Sequence, residues 1–489
     1  MVKIIFYGGI NEIGGNKILL EDEGTKIFLD FGMSFAQRKK YFLDPYLTPR
    51  NRQDLIELNL LPDMPELYES LNDNPFLDMD KVNMDDIGKL IELGIIQAED
   101  AEGNIVGLSG DNKLVNGVLL SHAHEDHYKY VGFIDRANVY CNSQTANLIL
   151  ALKQCNRTNF ENDIDNIRIV KKDNPFKIGN LLITPVQVNH SAYGSSAYIV
   201  NTSIGNIIYT GDFRLGELTS NFIKIAKESK PKIMICEGTN VGNKKKDCKN
   251  EEEVMKKMGR ILKKSQGLIF IDFSLKNIER FNNVHKLAFE YGKKLAIPTK
   301  LFYILARILY GNVEDFSKEV IKNDKFRNLY VYYRKKEKYD KWEKNIIEND
   351  LLLGKQKLIN ASNLKEEELQ KQFVVLFSFF DLKCLPDIKP KNAVFIKSSC
   401  EPFDEEMEID EKIFDNWLDR YNIKRKNIHT SGHIRLEELK KIVKEIKPEF
   451  VIPVHTEKVS IFKKEMKKCG VKVIIPEIGK NCLENMNNK

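Results

Sequence analysis

Ser121-His122-Ala123-His124-Glu125-Asp126-His127 is the stretch on which the reading of this chain turns. It follows at once on Gly117–Leu120, a short apolar run that predicts a buried strand. Its side chains therefore emerge at a strand's carboxyl end. His122 and His124 alternate with Ala123 along an extended segment, and a turn then brings Asp126 and His127 to the same place. Imidazole nitrogens and carboxylate oxygens are the donors zinc prefers, with manganese as the alternative ion.

A site with so many donors draws on more of the chain. His190 follows a strand expected to end at Val188. Asp212 lies in Tyr209-Thr210-Gly211-Asp212, again after a strand, and His455 follows the apolar run Phe450–Val454. Each falls where loops hold functional groups on a rigid scaffold. The chain has only 8 histidines. His122, His124, His127, His190, His429, His433 and His455 are all in expected strand-end loops or turns, whereas His285 is mid-helix and reads as a packing residue. A lone histidine is usually a satisfied core or surface group, but an H-x-H-x-D-H cluster is not. A single structural ion would use fewer ligands. A surplus that includes Asp212, which can bridge, suits two adjacent metals, and such pairs usually hydrolyse their substrates.

Composition sets the bounds. The 489 residues are 42% hydrophobic and 30% charged, ordinary for a globular protein of two or three domains. No apolar run is long enough to span a membrane, so no membrane partner is expected. Met1 leads straight into the strand-like Val2–Tyr7, and no targeting peptide is read. The 8 cysteines form no C-x-x-C pair, which fits free thiols and a cytoplasmic location. With 76 basic against 70 acidic residues, the net charge of +6 does not announce a nucleic-acid binder. Lys244–Lys246 and Arg334–Lys344 are the local basic runs, and a solvated face is the stronger reading of either alone.

Element patterns give an α/β fold class. Lys3–Tyr7, Lys17–Glu21 and Lys26–Asp30 predict a meander interrupted by the glycine-rich turn Gly8–Gly15. Residues 38–115 carry several prolines and short helical patterns, Arg52–Leu60 and Met84–Leu93, and are expected to form a lid or a surface insertion. From about residue 250 helices and strands alternate, which implies a parallel sheet. Phe373–Phe380 and Ala393–Lys397 are expected to be its last strands. A helix over Leu436–Ile446 and the strand Phe450–Val454 close the pattern.

With these motifs in order, the chain resembles the metallo-β-lactamase superfamily. More narrowly it is similar to the β-CASP ribonucleases of the ribonuclease J type, in their archaeal form. Four more segments carry the likeness: Gly8-Gly9-Ile10-Asn11-Glu12-Ile13-Gly14-Gly15-Asn16, Cys236-Glu237-Gly238-Thr239-Asn240, His429-Thr430-Ser431-Gly432-His433 and Pro453-Val454-His455-Thr456-Glu457. The resemblance implies a metallo-β-lactamase αββα sandwich in two parts, residues 1–245 and 406–489, with an inserted parallel α/β (β-CASP) domain over 246–405. It implies two zinc ions, one held by His122, His124 and His190, the other by Asp126, His127 and His455, with Asp212 between them. Asp126, Glu237 and His433 are the implied catalytic residues, with His433 as the general acid that Glu237 orients.

The implied activity is hydrolysis of single-stranded RNA to 5′-phosphate products, from the 5′ end. An endonuclease of the same fold is the alternative, and an open channel rather than a closed 5′-phosphate pocket would mark it. A small-molecule hydrolase would not need the inserted domain or the Glu237–His433 pair. A non-catalytic RNA-binding scaffold would have lost metal ligands. His429, Ser431, Gly432 and His433 are expected to meet substrate, with Asn11, Ser398 and Ser399 as further candidates. Asp30, in Phe28-Leu29-Asp30-Phe31-Gly32, is expected to support a ligand histidine. The extra C-terminal domain used for assembly by bacterial ribonuclease J has no expected counterpart, which leaves monomer and homodimer open.

Overall fold

A computed structural model describes residues 1–43, 46–68, 98–99, 105–106, 114–134, 137–155, 164, 166–243, 248–349, 352–399 and 405–484. Two sheets face each other across one apolar core. The first is β1 (Lys3–Gly8), β2 (Lys17–Asp22), β3 (Thr25–Phe31), β4 (Gly117–Leu119), β5 (Val139–Cys141) and β6 (Ile167–Ile169), hydrogen-bonded in that order. Its first pairs are antiparallel, and the pairs from β3 to β6 are parallel.

The second sheet takes β7 (Phe176–Ile178), β8 (Leu181–Gln187), β9 (Ser196–Thr202), β10 (Gly205–Tyr209) and β11 (Ile233–Glu237). Phe6, Leu20, Leu29 and Leu119 of the first sheet pack on Ile183, Tyr198, Ile207 and Ile235 of the second. The alternation of buried residues along β8 matches a strand with one face on this core.

The third sheet is wholly parallel, as the helix–strand alternation predicts. It comprises β12 (Ile269–Asp272), β13 (Lys294–Pro298), β14 (Leu329–Tyr332), β15 (Leu358–Ile359), β16 (Phe373–Leu376), β17 (Val394–Lys397) and β18 (Lys424–Asn427), in the order β15-β14-β13-β16-β12-β17-β18. Ile269, Phe270 and Ile271 of β12 are fully buried, as a strand covered on both faces requires. The chain then returns to the second sheet through β19 (Phe450–Val454) and β20 (Lys472–Val473), giving the order β20-β19-β11-β10-β9-β8-β7.

Two differences from the sequence pattern have physical causes. The strand read over Phe373–Phe380 stops at Leu376, because Ser378 and Asp381 close a capping box. The Ser378 amide and hydroxyl both donate to Asp381 Oδ2, at 2.8 and 2.6 Å, and start a 3-10 turn. The third sheet also runs past residue 405. The edge strand β18, Lys-Arg-Lys-Asn, pairs parallel with β17, and a strand this polar carries no hydrophobic signal.

The helices that matter for the site are α1 (Phe35–Arg38), α2 (Arg52–Glu57), α3 (Glu125–Tyr128), α4 (Ser143–Cys155), α5 (Glu217–Glu228), α6 (Glu251–Lys264), α7 (Ile278–Glu290), α8 (Thr299–Tyr310), α9 (Val313–Lys322), α10 (Lys341–Glu348), α11 (Glu405–Arg420), α12 (Leu436–Ile446) and α13 (Val459–Lys467). α6 shows the local logic. Asn250 caps it by accepting from Glu253 N, three glutamates open it, and Lys263 and Lys264 close it.

α5, α12 and α13 cover the outer face of the second sheet through Phe222, Leu439, Ile442 and Phe462. One continuous core joins the first sheet, α4, α7, α8 and one face of the third sheet, so the inserted unit is welded to the sandwich. His285 is buried as a packing residue, stacked between Phe281 and Phe326.

Within residues 38–115, α2 packs Leu55 into that core, and Ala98–Glu99 pairs with Ile105–Val106. The helix read over Met84–Leu93 and the basic run Lys244–Lys246 lie outside the described residues. In the other basic run, Arg334 contacts Asp381, Lys336 contacts Glu343 and Lys344 contacts Glu348, which supports the solvated-face reading. Among the described residues no helix is long and apolar enough to cross a membrane.

Candidate metal centre

β8, β10, β11 and β19 run in one direction, so their carboxyl ends share one rim of the sandwich. His190, Asp212, Glu237 and His455 stand at those ends, and His122 and His124 follow β4 in the facing sheet. The seven ligand candidates therefore meet although they are separated by up to 333 positions; His122, His124, His190 and Asp212 form one group, Asp126, His127 and His455 the other, and Asp212 also reaches His127 and His455.

In the first group His124 Nδ1 is 3.0 Å from His122 Nε2 and 3.1 Å from His190 Nε2. Asp212 Oδ2 lies 3.7 and 4.0 Å from His122 Nε2 and His190 Nε2. In the second, His455 Nε2 is 3.1 Å from Asp126 Oδ2 and 3.4 Å from Asp212 Oδ2, while His127 Nε2 is 3.1 Å from Asp212 Oδ2 and 3.8 Å from Asp126 Oδ2. A tetrahedral zinc with bonds of about 2.0–2.1 Å has ligand–ligand edges of about 3.3 Å. Both groups bracket that length.

The hydrogen-bond network assigns the tautomers. Asp30 accepts from His127 Nδ1 at 2.6 Å, Ser121 N at 2.7 Å, Ser121 Oγ at 2.6 Å and Tyr209 OH at 2.6 Å. Ser121 Oγ, its proton spent on Asp30, accepts from His122 Nδ1 at 2.9 Å. His190 Nδ1 donates to Gly432 O at 2.7 Å. Thr239 Oγ1 donates to Glu237 Oε2 at 2.6 Å and accepts from His455 Nδ1 at 2.9 Å. In four of the histidines Nδ1 thus carries the proton, and the Nε2 lone pair faces the centre.

Lone pairs converging at such distances repel unless a cation lies among them. Both Asp212 oxygens and His127 Nε2 are buried without a hydrogen-bond partner of acceptable geometry, which is costly in a metal-free protein. The donor set fits divalent cations of the zinc type.

The protonation states agree. Burial, then the His127 charge, holds His122 well below its ordinary value, and burial, then His124, does the same for His190. Burial and Lys276 bring His124 down to about 3. Burial opposes the charged form of His127, but Asp212, Asp126 and Asp30 raise it well above the ordinary value. A proton on His127 competes with a cation, so metal affinity falls on acidification.

Backbone constraints hold the rim. Gly14, at φ +80°, packs so closely that a Cβ there would stand 2.3 Å from Asp126 Oδ2. Glu12 ties the same loop down, accepting from Gly9 N at 3.0 Å and Ser34 Oγ at 2.5 Å. His455 N donates to Gly9 O at 2.8 Å. The glycine-rich turn therefore braces two ligands, and Asn11 is an exposed residue of that turn at φ +55°. Asp30 and His455 are themselves held at φ +56° and +57°, in the left-handed region that non-glycine residues avoid.

His433 forms a third group with Asp212 and His455. Its Nδ1 is 3.8 Å from Asp212 but 3.1 Å from the buried Glu237 Oε2 and 3.1 Å from Thr239 Oγ1. That nitrogen is committed to Glu237, which leaves the rest of the ring, 21% exposed, facing the open side. Burial opposes its protonation, yet Glu237 and then Asp212 push it up to about 9.

Ser431 Oγ accepts from Asn240 Nδ2 at 3.0 Å and His433 N at 3.1 Å, leaving its own proton to donate. The Gly432 carbonyl is taken by His190, so this backbone holds a ligand in place. His429 Nδ1 donates to Ser398 O at 2.9 Å. Ser398 itself is buried, donating to Ile428 O at 2.6 Å and contacted by Arg280 Nη1. Its hydroxyl is spent internally, so the substrate contact expected there is corrected to a strut beneath His429. Ser399 Oγ donates to Asp272 Oδ2 at 2.6 Å.

Sequence reasoning missed Thr239, Asn240, Ser121 and Tyr209. All four lie in quoted motifs, but their partners are up to 216 positions away. Arg214 was missed as well. It contacts Glu251 at 3.0 Å and Glu279 at 2.8 Å, tying the rim to the inserted unit.

Comparison with known proteins agrees with this geometry. Residues 104–250 match the beta-lactamase superfamily domain, and residues 420–476 match the Zn-dependent metallo-hydrolase RNA specificity domain. A ribonuclease J of Helicobacter pylori is 23% identical over 96% of this chain and 58% of its own length. One from Mycoplasma pneumoniae is 24% identical over 96% of this chain and 70% of its own. One from Thermus thermophilus is 24% identical over 69% of this chain and 57% of its own. The chain thus spans less than two thirds of the first of these relatives. A crystal structure of a protein of unknown function from Enterococcus faecalis V583 superposes with a TM-score of 0.69 at 21% identity, over 98% of this chain and 99% of that one.

Sandwich, rim and ligand groups give the chain the metallo-β-lactamase architecture, in keeping with the domain matched over residues 104–250. Within that class the chain is similar, over most of its length, to proteins named ribonuclease J.

Asp30 gives a direct test of the centre. Asp30→Asn removes the charge that four donors share and is expected to weaken zinc binding by about 10–100-fold. Competition with a chromophoric chelator measures this, and unchanged affinity would remove Asp30 from the support of the site.

Proposed function

We propose that this chain is a two-zinc ribonuclease that hydrolyses single-stranded RNA phosphodiesters to 5′-phosphate products, working from the 5′ end, with manganese as the alternative ion. The observation that carries this reading is His433. Its Nδ1 is held 3.1 Å from a fully buried glutamate at the edge of seven convergent ligands, within the segment that matches an RNA specificity domain.

His122, His124 and His190 would hold one ion, Asp126, His127 and His455 the other, and Asp212 would touch both. When bound, such a pair supplies Lewis acidity for in-line displacement at phosphorus. The chain's own residues do the rest. Glu237 and Thr239 hold His433 Nδ1, so its other nitrogen can deliver a proton to the departing 3′-oxygen. The unspent Ser431 hydroxyl donates to a non-bridging phosphate oxygen, and His429 lines the same side.

Purified protein with zinc or manganese, given labelled RNA bearing either a 5′-monophosphate or a 5′-hydroxyl, tests this. Mononucleotide release that depends on the monophosphate is expected. Internal fragments from both substrates would move the assignment to the endonuclease.

A further inference from the structure

α8 lies at the seam between the sandwich and the inserted unit, and three of its residues share one side of the helix. Lys300, Tyr303 and Arg307 are three and then four residues apart, so they form one stripe on the helix, about 10 Å long. On the sandwich side of the seam, Lys276 lies on the loop between β12 and α7. Lys276 Nζ lies 5.9 Å from the Tyr128 ring centre and meets no acceptor among the described residues.

The stripe opens into a groove of about 1020 Å³ between α4, α8 and α10. Tyr303 and Trp342 form its aromatic floor, ring centres 5.4 Å apart and inclined at 59°. Tyr303 OH donates to Gln154 Oε1 at 2.7 Å, which fixes that ring. Arg307, Lys341 and Asn345 lie around the floor. The lining also holds Glu314 and Glu348, and Glu348 is 3.5 Å from Lys344. The cations exceed the carboxylates by only one, so charge alone would bind a polyanion weakly here. An aromatic pair flanked by amides and cations suits nucleobases, because every base presents a π-face.

We propose that this groove is an accessory site for single-stranded RNA, where bases stack on Tyr303 and Trp342 while Arg307 and Lys341 at its edge meet the backbone. This rests on the ribonuclease reading and adds that strands long enough to reach the groove bind more tightly than short ones.

The chain has 2 tryptophans, so Trp417→Phe leaves Trp342 as the only indole reporter. In the zinc-loaded protein, a 5′-phosphorylated 12-mer of oligouridylate should quench its fluorescence, and a 3-mer should not. Trp342→Leu should raise KM for the 12-mer about 10-fold, with kcat and 3-mer hydrolysis unchanged. The double variant Arg307→Ser, Lys341→Ser keeps the floor intact, lies on exposed or half-buried positions and should raise the same KM. An absent quench, or equal effects on both lengths, would overturn the proposal. If the parent hydrolyses neither oligomer, the ribonuclease reading fails, while the quench still decides whether the groove binds RNA.

Discussion

Asp212→Asn is expected to lower activity by at least about 10³-fold and to take the bound zinc from two ions per chain toward one or none. Asp212 belongs to the first ligand group, and its Oδ2 also lies 3.1 and 3.4 Å from His127 and His455 of the second. It is 1% exposed, and its Oδ2 lies within 4.0 Å of nitrogens from His122, His127, His190, His433 and His455. Neither oxygen accepts a hydrogen bond of acceptable geometry. Burial by itself would favour a neutral carboxyl, yet His455, His127 and His433 hold it well below the usual carboxylate range. It is therefore an anion poised for cations. Asparagine keeps the shape, removes the charge and turns an amide donor toward the same space. Metal content after dialysis, together with hydrolysis rates, measures the effect, and far-UV circular dichroism controls for folding. A variant that keeps two zinc ions and activity within tenfold of the parent would remove Asp212 from the bridging role.

The second large effect concerns the proton. His433→Ala is expected to cost about 10²–10⁴-fold on RNA, the usual contribution of a positioned acid. The loss should shrink on a nitrophenyl phosphodiester, whose leaving group needs no proton. A purely structural role for His433 would slow both substrates equally.

Glu237→Gln separates orientation from protonation. Burial lowers the His433 value and Glu237 is the largest opposing influence, with the balance at about 9. A general acid works when protonated, so activity falls as pH rises through its value. Removing the Glu237 charge lowers that value, and the alkaline limb of kcat should move to lower pH by one unit or more. At pH 8 the variant should therefore lose far more activity than at pH 6. An alkaline limb that stays in place while the rate falls at every pH would show that Glu237 does not set the proton affinity of His433.

Legibility in the sequence varied with distance along the chain. His122, His124, Asp126 and His127 are local, and a strand end followed by a turn is enough to bring them together. His190, Asp212, Glu237 and His455 were legible at longer range, since each follows an apolar run and strand ends share a rim. Thr239 and Ser121 were not, because a hydroxyl has no pattern of its own and its role depends on which imidazole folds against it. Ser398 was read as a substrate contact, and only packing shows its hydroxyl spent on Ile428 O. The polar edge strand Lys424–Asn427 was missed for the converse reason, since edge strands need no apolar face.

The order and type of metal-binding side chains, the two-sheet and parallel-sheet periodicities and the glycine-rich turn follow from the residues alone, because hydrophobic period and donor chemistry are local properties. Tertiary structure alone decided the tautomers that aim the imidazole lone pairs, the commitment of His433 to Glu237 rather than to a cation, and the meeting of Gln154, Tyr303 and Trp342 across α4, α8 and α10. Each of these depends on distances of a few ångströms between residues far apart in the chain, which only the packed core sets.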